Sequence, residues 1–170
     1  MLKLYNEICK LKTLLRKGWI VRQVSDNGRI ESDAEHTFSM LYLALEIIHK
    51  ENLQLNTEKV LKMIIYHELG EIDFGDSTPL DNISKEDKFN SELKCIERLC
   101  ELSQMQEIKN LWLEFEENKT EEAQFVKMID KLDAVMQSKI YAHLNNKPQL
   151  FEEFYNNALD KIKGYEKYTD

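Results

Sequence analysis

Glycine and proline are scarce in this 170-residue chain, five and two residues respectively. Sheet architectures need a turn about every 8–12 residues, and turns draw on these two residue types. Their scarcity predicts an all-α fold of long, uninterrupted helices. No run approaches the ~20 apolar residues of a membrane span, and the segment MLKLYNEICKLKTLLRKGW carries charge in every turn, without the apolar stretch of a signal peptide. No membrane partner is expected, and a cytoplasmic location is. The three cysteines, Cys9, Cys95 and Cys100, are an odd set lacking a Cys-x-x-Cys pair, which fits reduced thiols better than a disulfide framework or a zinc knuckle. Positive charge is also short: 23 basic against 31 acidic side chains leave a net charge of −8. Such a field repels a nucleic-acid polymer but still allows a small phosphorylated ligand in a local basic pocket.

Hydrophobic residues make up 42% of the chain, which excludes intrinsic disorder. At this length folding buries roughly 70% of the unfolded surface, enough for one real core. With no repeat, low-complexity tract or long linker, residues 1–170 are expected to form a single domain, a compact bundle of about seven helices. Leu4, Ile8, Leu11, Leu14 and Leu15 recur at helical spacing and predict a first helix over 4–15, ended by Gly18. Residues 21–32 read as an irregular loop. Ser32 or Asp33 caps a second helix that is apolar on more than one face, and Thr57 opens a third whose last turns hold His67-Glu68-Leu69-Gly70-Glu71. A carboxylate-rich loop with Gly75, Asp76, Ser77, Pro79 and Asn82 follows. Further helices are expected over 84–102, 105–118, 120–143 and from Pro148 to before Gly164.

Two of the four histidines, His36 and His67, sit beside carboxylates inside buried-looking helices. On a regular helix His67, Glu68 and Glu71 can present their side chains toward one side of a turn. That is a compact nitrogen and oxygen donor set for a divalent ion, although a histidine on an apolar helix is also commonly a hydrogen-bonded core residue. A zincin is disfavoured because the position four after His67 is Glu71, not a second histidine. A ferritin-like di-metal bundle would need paired Glu-x-x-His segments, which the sequence lacks.

The order His36, then His67-Glu68, then Asp130 in Phe125-Val126-Lys127-Met128-Ile129-Asp130 resembles the H…HD…D signature of HD-domain metal-dependent phosphohydrolases. The resemblance is to the compact bacterial 5′-deoxynucleotidases and the HD-domain-containing 2 group, and it extends over about residues 18–148. Gly18-Trp19 with Arg22, Ser32-Asp33-x-Glu35-His36, Glu71, Gly75-Asp76 and Asp81-Asn82 agree in order and spacing. The chain departs from the signature at Glu68, where the family has aspartate. Glutamate keeps the charge and the oxygen donors and adds a methylene.

The resemblance implies an all-α HD domain binding one divalent ion (Mn, Co, Zn, Fe, Ni or Mg) through His36, His67, Glu68 and Asp130. It further implies that Glu71 positions or deprotonates a water, that Asp76 contacts substrate or relays a proton, and that the protein is a homodimer. Arg16 and Arg22 are the expected phosphate contacts, since a guanidinium offers phosphate a two-pronged donor. Trp19 is the expected wall for sugar or base, with simple core packing as its alternative. The function so implied is a hydrolase of (deoxy)nucleoside 5′-monophosphates. Two other readings remain open: an HD phosphohydrolase of another small phosphoester, and a non-catalytic nucleotide-binding or regulatory protein altered at Glu68.

Overall fold

The computed structural model describes residues 3–78 and 81–169; Pro79 and Leu80, part of the expected carboxylate-rich loop, lie outside the described residues. The architecture is all-α. In chain order the helices are α1 (Lys3–Ile8), α2 (Lys17–Val21), α3 (Asp33–Glu51), α4 (Thr57–Tyr66), α5 (Glu71–Phe74), α6 (Lys85–Ser103), α7 (Gln106–Glu117), α8 (Glu121–Leu144) and α9 (Pro148–Ala158), with 3₁₀ turns at Cys9–Lys12 and Glu166–Tyr168. Among the described residues, α2 and α5 are single turns, and the other seven helices correspond to those expected.

The starts follow local chemistry. Ser32 and Glu35 form a reciprocal capping box at the head of α3. Asn56, Ser84 and Thr120 each accept a backbone N–H from the first turn of α4, α6 and α8, and Pro148 opens α9. Helices α3, α6 and α7 end at Asn52, Gln104 and Asn118 in the left-handed region, where asparagine is among the better-tolerated side chains.

Two expected helices are interrupted. The first is α-helical only to Ile8 and tightens to 3₁₀ at Cys9–Lys12, because residues 14–16 are drawn out to pair with residues 31–33. Arg16 N–H donates to Glu31 O at 2.9 Å and Asp33 N–H to Leu14 O at 2.9 Å. The third stops at Tyr66. Beyond it the chain keeps helical φ and ψ at His67 and Gly70 but tightens, with Leu69 N–H bonding Tyr66 O and Glu71 N–H bonding Glu68 O. Gly70 explains how closely this turn approaches α6, since a Cβ there would lie 2.7 Å from Glu92 Cβ.

Helix α8 is the central strut and packs on α3, α4, α7 and α9. Val126, Ile129, Leu132 and Val135 on it are fully buried, and they meet Met40, Ala44 and Ile47 of α3 and Met63 and Ile64 of α4 in one large cluster. Each such aliphatic side chain is worth roughly 1.5–3 kcal/mol of burial. A second cluster, Trp19, Val24, Tyr141, Ala142 and Leu150, fastens α2 and the following loop to α8 and α9. The first cluster carries His36, His67 and Asp130 toward one another; the second fixes the segment that bears Arg16.

Candidate metal centre

Four segments distant in sequence converge. The second turn of α3 brings His36, the tight turn after α4 brings His67 and Glu68, α8 brings Asp130, and the extended stretch before α2 brings Arg16. The Nε2 of His36 lies 3.3 Å from Asp130 Oδ1 and 3.7 Å from Glu68 Oε1, and the Nε2 of His67 lies 3.3 Å from Glu68 Oε1. Donor atoms of His36, His67 and Glu68 all fall within 4.8 Å of one another. Arg16 Nη1 donates to Glu68 Oε1 at 2.6 Å, and its Nη2 is 4.0 Å from Asp130 Oδ1.

The two imidazoles are oriented alike. His36 Nδ1 is 2.7 Å from Asp133 Oδ2, and His67 Nδ1 is 2.6 Å from the carbonyl of Ile64. With Nδ1 of each ring engaged, the two Nε2 atoms are turned toward the carboxylates, and both are buried without a hydrogen bond of good geometry. Buried polar atoms are almost always partnered. Two orphaned Nε2 atoms aimed at two carboxylates, each held from behind through Nδ1, fit a divalent cation.

Charge is concentrated here. Burial and the Arg16 guanidinium work against a proton on His36, yet the carboxylates of Asp130 and Asp133 outweigh them and raise the imidazole to about 10. Burial also opposes ionisation of Glu68, but His67, Arg16 and His36 hold it well below the usual carboxylate range. Lys131, His36 and Arg16 do the same for Asp130. A proton on His36 Nε2 occupies the place a cation would take.

Glu71 and Asp76 stand beside this centre with Asp33, their carboxylate oxygens mutually within 4.8 Å. Glu71 Oε1 is 3.3 Å from Lys88 Nζ, while its Oε2 is buried and unpartnered. Asp76 Oδ2 accepts the backbone N–H of Lys17 at 2.5 Å. Burial, then repulsion from Glu68 and Asp76, pushes Glu71 well above the usual carboxylate range. Burial and the charge of Glu68 raise Asp33 to about 8.

A cavity of about 380 Å³ opens over the centre, with Arg16, Glu68, Glu71, Asp76 and Asp130 in its wall. The expected substrate residues divide. Arg16 lines this cavity, whereas Trp19 and Arg22 do not. Trp19 is 2% exposed, stacked on Phe154 with ring centroids 4.7 Å apart, and its Nε1–H donates to Glu31 at 2.7 Å. Arg22 pairs with Glu153 and covers the Phe154 ring. The aromatic wall of the cavity is instead Phe89 and Phe115, and its remaining cations are Lys85, Lys88, Lys127 and Lys131. Sequence reasoning missed these lysines because charges on helices read as solvated faces. It also missed Asp133, whose position three residues after Asp130 on one helix face was the available signal.

A profile of the HD domain family matches residues 8–168. The chain belongs to the HD domain family. The chain is 32% identical over 166 residues to 5′-deoxynucleotidase HDDC2 of Xenopus laevis, covering 96% of this chain and 80% of that relative. It is 34% identical over 171 residues to the Dictyostelium discoideum protein of the same name, covering 93% and 88%. Among solved structures, the PH0347 protein of Pyrococcus horikoshii OT3 superposes with a TM-score of 0.79 at 29% identity, over 96% of this chain and 90% of that one. A "Predicted metal-dependent phosphohydrolase" from Magnetospirillum magnetotacticum MS-1 does so with a TM-score of 0.73 at 28% identity, over 94% and 80%. In this HD domain protein His36, His67, Glu68 and Asp130 stand in the order of the H…HD…D signature, and their mixed imidazole and carboxylate set suits a divalent metal.

Proposed function

We propose that the chain, acting as one HD-domain unit, is a metal-dependent phosphomonoester hydrolase that releases phosphate from (deoxy)nucleoside 5′-monophosphates. The observation that carries this reading is the pair of orphaned Nε2 atoms of His36 and His67, facing Glu68 and Asp130 beneath a cavity with a cationic rim. The relatives named 5′-deoxynucleotidase support the substrate class.

His36, His67, Glu68 and Asp130 would hold one ion, and the two nitrogen donors favour Mn, Co, Zn, Fe or Ni over Mg. When bound, that ion neutralises charge on the phosphoryl oxygens and makes a water more acidic. Arg16 does two things: one nitrogen orients Glu68, and the rest of the fork faces the cavity, where it can take a phosphate oxygen. Glu71 orients the attacking water; burial and the neighbouring carboxylates favour its protonated form in the metal-free site, so it would accept a proton only where a bound cation restores its charge. Asp76, anchored by Lys17 N–H, contacts the substrate or relays a proton. Phe89 and Phe115 give the nucleoside an apolar face, and Lys127, 3.7 Å over the Phe115 ring, stands at the same wall.

The exposed apolar row Phe38, Tyr42 and Leu45 on α3, 74%, 68% and 46% exposed, supports a homodimer. The free thiols Cys9, Cys95 and Cys100 suit a reducing, cytoplasmic setting.

The test is phosphate release from deoxynucleoside and ribonucleoside 5′-monophosphates and from p-nitrophenyl phosphate, after chelator stripping and reloading with Mn, Co, Zn or Mg. Metal-restored protein is expected to turn over nucleoside monophosphates with a higher kcat/KM than the minimal aryl phosphate. Preference for a non-nucleoside phosphoester would replace the substrate class, and no turnover with any metal would overturn the activity.

A further inference from the structure

Asp130 divides its carboxylate between two neighbourhoods. Its Oδ1 lies 3.3 Å from His36 Nε2 and faces the histidine centre, while its Oδ2 accepts a hydrogen bond from Lys131 Nζ at 2.8 Å. Lys131 is the next residue on α8, and its long stem carries the ammonium outward: the side chain is 40% exposed where that of Asp130 is 12%. The ammonium therefore lies where the buried ligand set meets the cavity, whose wall includes both residues. Most other cations of that wall are engaged. Lys88 sits 3.3 Å from both Glu71 and Glu92, Lys127 is 2.9 Å from Glu116 and 3.7 Å over the Phe115 ring, and Arg16 is 2.6 Å from Glu68. Lys85 stands exposed at the first residue of α6. An ammonium has three N–H donors. Among the described residues Asp130 is the one hydrogen-bond partner of Lys131, so two donors remain uncommitted beside the metal ligands.

We propose that Lys131 is a phosphate-binding residue, which takes a non-bridging oxygen of the phosphomonoester with the donors that Asp130 leaves over. The inference rests on the proposed function and answers an electrostatic difficulty in it. A phosphate dianion entering the cavity meets Glu68, Glu71, Asp76 and Asp130 in one wall, and like charges at such range repel strongly. Two cations flank Asp130 within that wall, Arg16 with Nη2 4.0 Å from Oδ1 and Lys131 at Oδ2. An anion over Asp130 therefore has a guanidinium on one side and an ammonium on the other, and each can donate a charge-assisted hydrogen bond to a separate oxygen. Phosphoryl transfer spreads negative charge over the non-bridging oxygens, where fixed cations act on the transition state. The bond to Oδ2 has a second consequence. It keeps that oxygen turned away from the histidine centre, so Asp130 presents Oδ1 alone to the ligand set.

The experiment measures binding of inorganic phosphate to the Mn²⁺-loaded, full-length protein by calorimetry, alongside Mn²⁺ affinity from the electron paramagnetic resonance signal of the free ion. Wild type, Lys131→Met and Lys131→Arg are compared, with circular dichroism as the check on folding, and Lys131→Gln replaces the methionine variant if that does not fold. Lys131→Met is expected to weaken phosphate binding about 10–100-fold, the size of a lost charge-assisted hydrogen bond. Its Mn²⁺ affinity should be no weaker than that of wild type, because a cation beside Asp130 has been removed, and Lys131→Arg should recover most of the phosphate binding. A fall in Mn²⁺ affinity that accounts for the phosphate loss would show that Lys131 acts only through Asp130, and would overturn the contact. Unchanged phosphate binding in Lys131→Met overturns it too, and leaves the proposed function standing. Phosphate binding that depends on Lys131 in a protein that hydrolyses no phosphomonoester supports the contact and overturns the proposed function. Neither phosphate binding nor turnover in wild type overturns both.

Discussion

Asp133 Oδ2 lies 2.7 Å from Nδ1 of His36, bridging two helices across 97 residues of sequence. The contact fixes the ring so that Nε2 faces Glu68 and Asp130. Partners that orient a ligand in this way typically contribute 10–100-fold in metal affinity. Asp133→Ala is therefore expected to weaken metal binding by about that factor, read by titration of the stripped protein, with helicity retained. Unchanged affinity would show that packing alone orients His36.

Trp19 and Arg22 are expected to behave as structural residues. Trp19→Ala removes a 2%-exposed indole from the second cluster and should cost about 3–5 kcal/mol of stability. Activity on nucleotide and on aryl phosphate should fall together, if at all. Arg22→Ala breaks a partly exposed pair with Glu153 and should cost about 1 kcal/mol or less, with KM unchanged. A selective rise in KM for nucleotides in either variant would return these residues to the substrate site.

Gly70 is held to its size by α6. A Cβ there would meet Glu92 Cβ at 2.7 Å and Glu92 Cα at 3.3 Å, so relief requires the backbone to move. Gly70→Ala is expected to cost roughly 1–3 kcal/mol, the range for overpacking. It should also lower metal affinity, because Glu68 and Glu71 flank the displaced turn. A variant as stable as the starting protein in denaturant melts would contradict the observed packing.

The metal-free protein should lose stability as pH rises. His36 is raised from 6.5 to about 10 and Asp33 from 3.8 to about 8, and Glu71 is raised as well. The folded state therefore binds more protons than the unfolded chain. The stability contributed by His36 is fully present below 6.5 and lost as pH rises through about 10, and that of Asp33 is lost as pH rises from 3.8 through about 8. Glu68 and Asp130, both lowered, are already ionised over this range and add no slope. Between about pH 6 and about pH 9 the melting temperature in chelator should fall, while the increment from added metal should grow, because the ligands must shed protons to bind. A flat profile in chelator would contradict the buried charge arrangement.

The fold was legible because scarce glycine and proline, clear caps at Ser32, Ser84 and Thr120, and helical spacing of large apolar residues all point the same way. His36, His67, Glu68 and Asp130 were legible by type and order. What tertiary packing decides was not. The tight turn from His67 to Glu71 has helical dihedrals at His67 and Gly70, and at Gly70 it lies against Glu92, a residue of another helix. An indole between two helices has the same sequence signature whether it walls a cavity or fills a core, and Trp19 fills a core. Lys127 and Lys131 look like ordinary helix-surface charges until α8 is seen to face the cavity.

The central claim is that His36, His67, Glu68 and Asp130 hold the ion on which phosphoester hydrolysis depends. Its most direct test measures inorganic phosphate released from a deoxynucleoside 5′-monophosphate by stripped protein, metal-restored protein and metal-restored His67→Ala. The account predicts turnover only in the restored wild type, with a loss in His67→Ala of on the order of 1,000-fold or more, since several kcal/mol of charge stabilisation leave with the metal. Equal turnover with and without metal, or full activity in folded His67→Ala, would contradict it.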